Sequence, residues 1–242
     1  MQRWLNETAI VFAIEFRRFL TEWPVYLLVS VIATAPLFLI RLAGEFSSLE
    51  DTRLLAGAVV FGLGLQSING TGQLMVSERF EGQMKLFRTA PMSKAAYVVG
   101  VTLFTVVMAT VSTVAVLGLG AAAGIPFELS PLLLPLVIMT GASLTGFSVL
   151  IATNARTASG GALLASALGV LVAMLSPIFY PIERLPVALQ WLAHLSPFTY
   201  AGEAFTEVLS GGASVLSQSL ILLGFMVATS AIGIARMQWR ER

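Results

Sequence analysis

Long apolar runs separated by short charged stretches dominate this chain. Residues 23–40, 54–77, 95–127, 129–155, 157–182, 185–202 and 208–235 contain no Asp, Glu, Lys or Arg. About 20 mostly apolar residues cross a bilayer as a helix, and soluble helices seldom sustain such a run. The pattern predicts spans near 25–41, 54–76, 95–122, 131–153, 160–178 and 214–236. Residues 185–202 receive no span, because Pro177, Pro181, Pro186 and Pro197 punctuate the neighbourhood. Each proline removes a helical hydrogen bond and clashes with the preceding turn. Such backbone is tolerated at membrane depth only where protein or water satisfies it. The segment 179–205 therefore reads as re-entrant or interfacial short helices on the outer side. Ahead of span one, residues 4–23 mix Leu5, Ile10, Val11, Ile14, Phe16 and Phe19 with Glu7, Glu15, Arg17, Arg18 and Glu22. That suits an amphipathic helix over 1–23 lying at the interface, the alternative being a simple N-terminal extension of span one.

Composition and charge sharpen this picture. Of 242 residues, 57% are hydrophobic and 11% charged, against roughly 25% charged in soluble domains. The fold class is an all-α polytopic membrane protein, one transmembrane domain over 1–242. With six spans and both termini cytoplasmic, 11 of the 14 basic residues fall on the inside. Only Arg41, Arg53 and Arg184 fall outside, as the positive-inside tendency requires. A seventh span would place Arg236, Arg240 and Arg242 outside and spoil the asymmetry. The net charge of +1 selects no nucleic acid, and the absence of cysteine removes thiolate chemistry.

Candidate chemistry is sparse. No charged residue falls at the centre of a predicted span, where one would mark a proton relay or ion path. There is no histidine–carboxylate cluster with metal spacing and no G-x-x-x-x-G-K-[ST] loop, so no catalytic site and no ATPase are expected in this chain. Gln66, Asn69 and Gln73 share one face of span two at i, i+3 and i+7. Two readings stay open: a face toward a substrate path, or hydrogen bonding between helices. Gly120 and Gly124 form a small-xxx-small pair suited to helix packing.

One charged island between long runs is "VSERFEGQMKLFRTAPMSK", residues 76–94. Phe80, Met84 and Phe87 recur at i, i+4 and i+7 as an apolar stripe, with Glu81 and Lys85 paired on another face. Gly82 permits a bend and Pro91 stops the helix. Lipid adsorption favours a strongly basic polar face; the mixed signs here favour docking into a protein.

Here the sequence resembles a known family. "SERFEGQMKLFRTAPMSKAAYVVG" is similar to the first cytoplasmic loop of type-2 ABC exporter permeases, with Glu78, Arg79, Gly82, Leu86, Pro91 and Ser93 at the matching positions. "SPIFYPIERLPVALQWLAHLSPFTYAGEAF", residues 176–205, resembles that family's outer segment after span five. "EFRRFLTEWP" resembles its interfacial helix before span one. In one respect the chain departs: a second Glu often follows the glycine of the loop, where this chain has Gln83, Lys85 and Arg88.

The resemblance implies a membrane subunit without catalysis of its own. The loop 77–94 would carry a coupling helix, with Glu78, Arg79, Phe80, Glu81, Gly82, Met84, Lys85, Phe87 and Arg88 as the contact with an ATPase subunit. Two copies of an ABC ATP-binding subunit would supply ATP and Mg, with no cofactor in this chain, and two copies of this chain would form a homodimer. Gln66, Asn69 and Gln73, with Phe179 and Tyr180 at the end of span five, would line the translocation pathway. Location would be the cell (inner or plasma) membrane. Largely apolar, uncharged spans favour a small amphiphile or drug as cargo over a polysaccharide or lipid-linked glycan. From a different class, a secondary carrier or channel independent of ATP would not need the docking helix.

Overall fold

The computed structural model describes residues 2–42, 48–81 and 92–236. Among them every regular element is helical, with no strand. Helix α1 (Gln2–Ala33) is continuous through Pro24, so the break expected between a helix at 1–23 and a span at 25–41 is absent. Pro24 forfeits one backbone bond, but packing on both sides of it holds the helix together. Thr8, Val11 and Glu15 are buried upstream, and downstream the Tyr26 ring meets Phe104 edge-on at 6.3 Å. The chain breaks instead at Thr34, whose hydroxyl and amide both turn back to the Val31 carbonyl at 2.7 and 3.0 Å. Pro36 lies two residues on, biasing its predecessor away from the α region and removing a further donor. Helix α2 (Ala35–Leu42) follows. At 32 residues α1 is about 48 Å long, more than the roughly 30 Å of hydrocarbon. Its charged first turns therefore extend past any span it makes.

Span two is the axis of the molecule. Helix α3 (Ser48–Gly64), a π-helical turn (Leu65–Gly70) and α4 (Thr71–Phe80) run on without a break. Leu54, Leu55, Val59, Val60 and Leu63 are buried in the main core. Around this rod pack α5 (Lys94–Ala122), α6 (Leu133–Asn154), α7 (Ala158–Leu175) and α9 (Pro197–Leu209). Helix α10 (Leu216–Arg236) lies outside, against α6, where Thr229 Oγ1 sits 3.2 Å from the Ser143 carbonyl. Of the two glycines read as a packing pair, only Gly120 packs: a Cβ there would lie 2.6 Å from Leu55. Gly124 instead takes φ +73 just past the end of α5. Its amide bonds the Ala121 carbonyl and the Ile125 amide bonds that of Gly120, which closes the helix.

Among the described residues, five helical stretches are long and apolar enough to cross a membrane: Gln2–Leu39, Glu50–Phe80, Lys94–Ala122, Leu133–Asn154 and Leu216–Arg236. The expected fifth span near 160–178 coincides with α7, whose 18 residues reach about 27 Å, but α7 is not one of these five stretches. It lies on α4 through a small-residue seam in which Gly161, Ala165 and Gly169 oppose Val76, Gly72 and Ile68. A Cβ on Gly161 would come within 2.8 Å of Val76, and one on Gly72 within 2.9 Å of Ala165. Beyond α7, the segment read as short broken helices folds as a 3-10 turn (Ile182–Arg184), α8 (Val187–Ala193) and α9. Helix α8 is largely exposed, whereas Phe198, Phe205 and Val208 of α9 are fully buried.

The two ends of the bundle differ. At one, Arg41 pairs with Asp51 at 3.5 Å and donates to the Ala123 carbonyl at 2.8 Å, while Arg184 faces Glu50 at 3.7 Å. At the other lie Glu7, Arg79 and Ser93, bracketing the loop between α4 and α5.

Candidate functional site

Glu78, Arg79 and Phe80 form the last turn of α4, continuous with span two, rather than the start of a separate loop helix. Glu78 is buried and accepts a hydrogen bond from the Tyr97 hydroxyl of α5. Its carboxyl also faces that of Glu15 from α1, which is itself buried. Glu15 Oε2 has no hydrogen-bonding partner among the described residues. The two carboxyls meet at a three-helix junction of α1, α4 and α5.

Arg79 points to a different helix. Its Nη1 donates to the carbonyl oxygens at the end of α6: Ala152, Thr153 at 3.1 Å and Ala155 at 3.1 Å. These are carbonyls that a helix terminus leaves without intrahelical donors, and a cation there also complements the helix dipole. The adjacent pair Glu78-Arg79 thus ties α4 to α1, α5 and α6. Across the loop, Glu7 Oε2 accepts from the Ser93 amide at 3.0 Å, and Ser93 Oγ caps α5 by accepting from Ala96 N at 3.1 Å. One end of the loop is therefore bound to α1 and the other to α5 and α6. Phe80 is 37% exposed, with the Arg79 guanidinium 5.4 Å from its ring centroid, and Glu81 is exposed. Gly82, Met84, Lys85, Phe87 and Arg88 lie outside the described residues.

A second feature sits just inside this root. A cavity of about 600 Å³ opens between α1, the span-two rod and the start of α7. Gln66, Asn69 and Gln73, read from spacing alone as one polar face, all line it. The opposite wall is mostly Val25, Tyr26, Val29 and Ala162, with Arg18 and Glu22 at its edge, 3.8 Å apart. Gln73 Nε2 donates to Asn69 Oδ1 and to Ser166 Oγ of α7 at 3.1 Å, and Ser166 Oγ lies 3.2 Å from Asn69 Oδ1. Gln66 Nε2 approaches the Tyr26 carbonyl of α1 at 3.5 Å. The two readings of these residues merge: the same carboxamides bond neighbouring helices and face the cavity.

The π turn contributes to this wall. Its widened geometry frees carbonyls from the α pattern, a feature found often at functional sites. Side chains take them up: Ser148 Oγ donates to the Ser67 carbonyl, and Thr71 Oγ1 lies 3.2 Å from that of Gln66. Phe179 and Tyr180 are elsewhere. The Phe179 ring packs on Phe61 at 6.2 Å beside the main core, and neither residue lines the cavity. Glu15, Arg18 and Glu22 lie within "EFRRFLTEWP" and Tyr97 within the loop motif, neither of which singled them out as site residues, while Tyr26 and Ser166 had no motif to mark them. A helical net placing Ser159, Ala162 and Ser166 on one face of α7 is the nearest signal.

An apolar helical bundle, a charged loop fastened at both ends and an amphipathic cavity beside it together describe a transporter's membrane part. The family model for ABC-2 type transporters matches residues 6–210. The chain belongs to the ABC-2 type transporter family. It is accordingly a multi-pass membrane protein and a permease of the ABC transporter class, a transporter family rather than a catalytic one. ABC-2 permeases normally work with an ATP-binding subunit. No curated protein matches the chain.

Proposed function

We propose that this ABC-2 permease forms the export path for a small amphiphile or drug, driven by separate ATP-binding subunits. The cavity carries this reading. Its volume suits a drug-sized ligand, for which pockets of roughly 300–1,000 Å³ are usual, and it sets neutral amide donors and acceptors opposite apolar side chains. Six spans, α7 included, place both termini and the loop 77–94 on the cytoplasmic side. The ATPase docks on that loop through Phe80, Glu81, Gly82, Met84, Lys85, Phe87 and Arg88. Glu78 and Arg79 take a different part, since their side chains are committed to the bundle. They convert loop displacement into movement of α1, α5 and α6 together, and the cavity on the α4–α7 side changes shape. Two permeases and two ATPases make the working unit, with α8 and α9 closing the outer end; ATP and Mg belong to the ATPase.

The test is reconstitution of this chain with the P-loop ATPase encoded beside it. Expected is ATP-dependent export of an amphiphilic dye, lost with Phe80→Asp while the purified permease stays folded. Dye transport by the chain alone without ATP would overturn the reading in favour of a carrier. ATP turnover stimulated by a polysaccharide and not by amphiphiles would transfer the cavity to the glycan class.

A further inference from the structure

On the far side of α7 from the polar cavity lies a second, apolar one. Leu164, Leu168 and Val172 of α7 face Phe147 and Leu150 of α6 across about 360 Å³, floored by the fully buried Phe198. A smaller cavity of about 230 Å³ beneath α8 shares Phe147, Val172 and Pro197 with it, so the two form one groove along α7. Helix α7 thus separates a polar chamber from an apolar one. We propose that this groove is a binding site for one acyl chain of a bilayer phospholipid, with Arg156 placed to meet the lipid phosphate.

Three observations fix the occupant. The walls of the larger cavity offer almost no polar partner, and Leu164 and Leu168 remain 50% and 40% exposed. Water needs two to four polar partners to occupy a cavity, so between membrane helices hydrocarbon fills this one. Length agrees: from Leu164 to Val172 α7 rises about 12 Å, close to the depth of one leaflet, about 15 Å. Charge agrees as well. The groove ends at Asn154, the last residue of α6, and the exposed Arg156 follows two residues later. That is the end of the bundle where Arg79 grips the α6 carbonyls, and a basic residue there matches an anionic headgroup. A seated chain would also limit how far α7 can swing away from the polar cavity.

The experiment uses the full chain in vesicles of phosphatidylcholine and phosphatidylglycerol, with a phosphatidylglycerol bearing a photoactivatable group in its tail. Adducts are mapped by mass spectrometry, with the exposed Leu216 and Leu220 of α10 as reference for ordinary surrounding lipid. Expected is enrichment on Phe147, Leu164 and Leu168 over that reference. Leu168→Trp fills the groove and removes those adducts, and Leu168→Ala, which enlarges it, retains them. Arg156→Gln lowers the enrichment about fivefold, equivalent to roughly 1 kcal/mol. Retention of a phosphatidylglycerol through detergent exchange, read by native mass spectrometry and lost in Leu168→Trp, gives a second measurement. Labelling equal to that of α10 and indifferent to Leu168→Trp would overturn the site. So would disulfide linkage between copies through Leu164→Cys with no lipid adduct, which would assign the groove to a second chain.

Discussion

At the residue scale, Glu78 and Arg79 show how a charged pair acquires a structural task. In sequence they begin a polar loop; in the fold one side chain is buried at a three-helix junction and the other caps a fourth helix. Removing a donor from several carbonyls costs more than one average hydrogen bond, and bonds to charged groups contribute about 1.5–3 kcal/mol. Arg79→Ala should therefore lower stability by about 2–3 kcal/mol, read from thermal unfolding of the purified chain. Arg79→Lys should recover only part, because a single ammonium cannot reproduce a guanidinium's fixed fork. An unfolding midpoint unchanged by Arg79→Ala would refute the capping role. Glu15 gives the opposite expectation. Its carboxyl lies buried against Glu78 with one oxygen unpartnered, so Glu15→Gln removes repulsion and keeps the shape. Stability should hold or rise, whereas Glu78→Ala, which removes the acceptor of the Tyr97 hydroxyl's bond, should cost about 1–3 kcal/mol. If Glu15→Gln destabilised as strongly as Glu78→Ala, the repulsive pairing of the two carboxyls would be wrong.

At the scale of elements, the α4–α7 seam decides how closely the polar wall of span two meets the fifth helix. Gly161, Ala165 and Gly169 recur at every fourth residue, and Gly161 against Val76 and Gly72 against Ala165 leave no room for larger groups. Overpacking of this kind costs about 1–3 kcal/mol. Gly72→Val should cost that much and, by pushing α7 outward, should break the Gln73–Ser166 bond. Because the chain has no cysteine, a pair such as Gln73→Cys with Ser166→Cys reports the spacing directly. Its disulfide should form in the parent and fail in Gly72→Val, and equal cross-linking in both would dismiss the seam as the spacer. Much of this element map is visible in the chain itself. Charge-free length predicted five of the long helices, and proline spacing predicted short helices over 179–205. What periodicity missed has local causes. The change from charged to apolar residues suggested a break before span one, yet contacts on either side of Pro24 outweigh one lost bond, and the break falls at Thr34. The π turn at Leu65–Gly70 has no sequence mark, since it depends on Ser148 reaching its carbonyls from another helix. Glu78 read as loop surface because burial of a charge follows from tertiary partners, Tyr97 and Glu15, that spacing does not connect.

At the scale of the whole molecule, the loop root and the polar cavity are two ends of one mechanical path. Gln66, Asn69 and Gln73 were legible as a face because i, i+3, i+7 spacing survives the wider π turn; what faces them was not, because α1 and α7 reach the cavity only through the fold. The arrangement separates two kinds of lesion. Asn69→Leu and Gln73→Leu change the cavity wall and one bond to α7, while leaving the Glu78-Arg79 root and the loop untouched. In the reconstituted permease–ATPase complex they should keep basal ATP turnover and lose its stimulation by amphiphile, with apparent affinity falling about tenfold for each hydrogen-bonding group removed, roughly 1.4 kcal/mol. Arg79→Lys should do the reverse: cargo affinity measured by dye binding stays near the parent value, while ATP turnover no longer responds to bound cargo, because α6 is loosened from the loop. The two classes should also combine additively, since the cavity wall and the α6 cap share no partner. If Gln73→Leu abolished basal turnover, or if Arg79→Lys weakened dye binding as much as Gln73→Leu does, the cavity and the loop root would not be separate stations on a path of force. The bundle would then be moving as one rigid body.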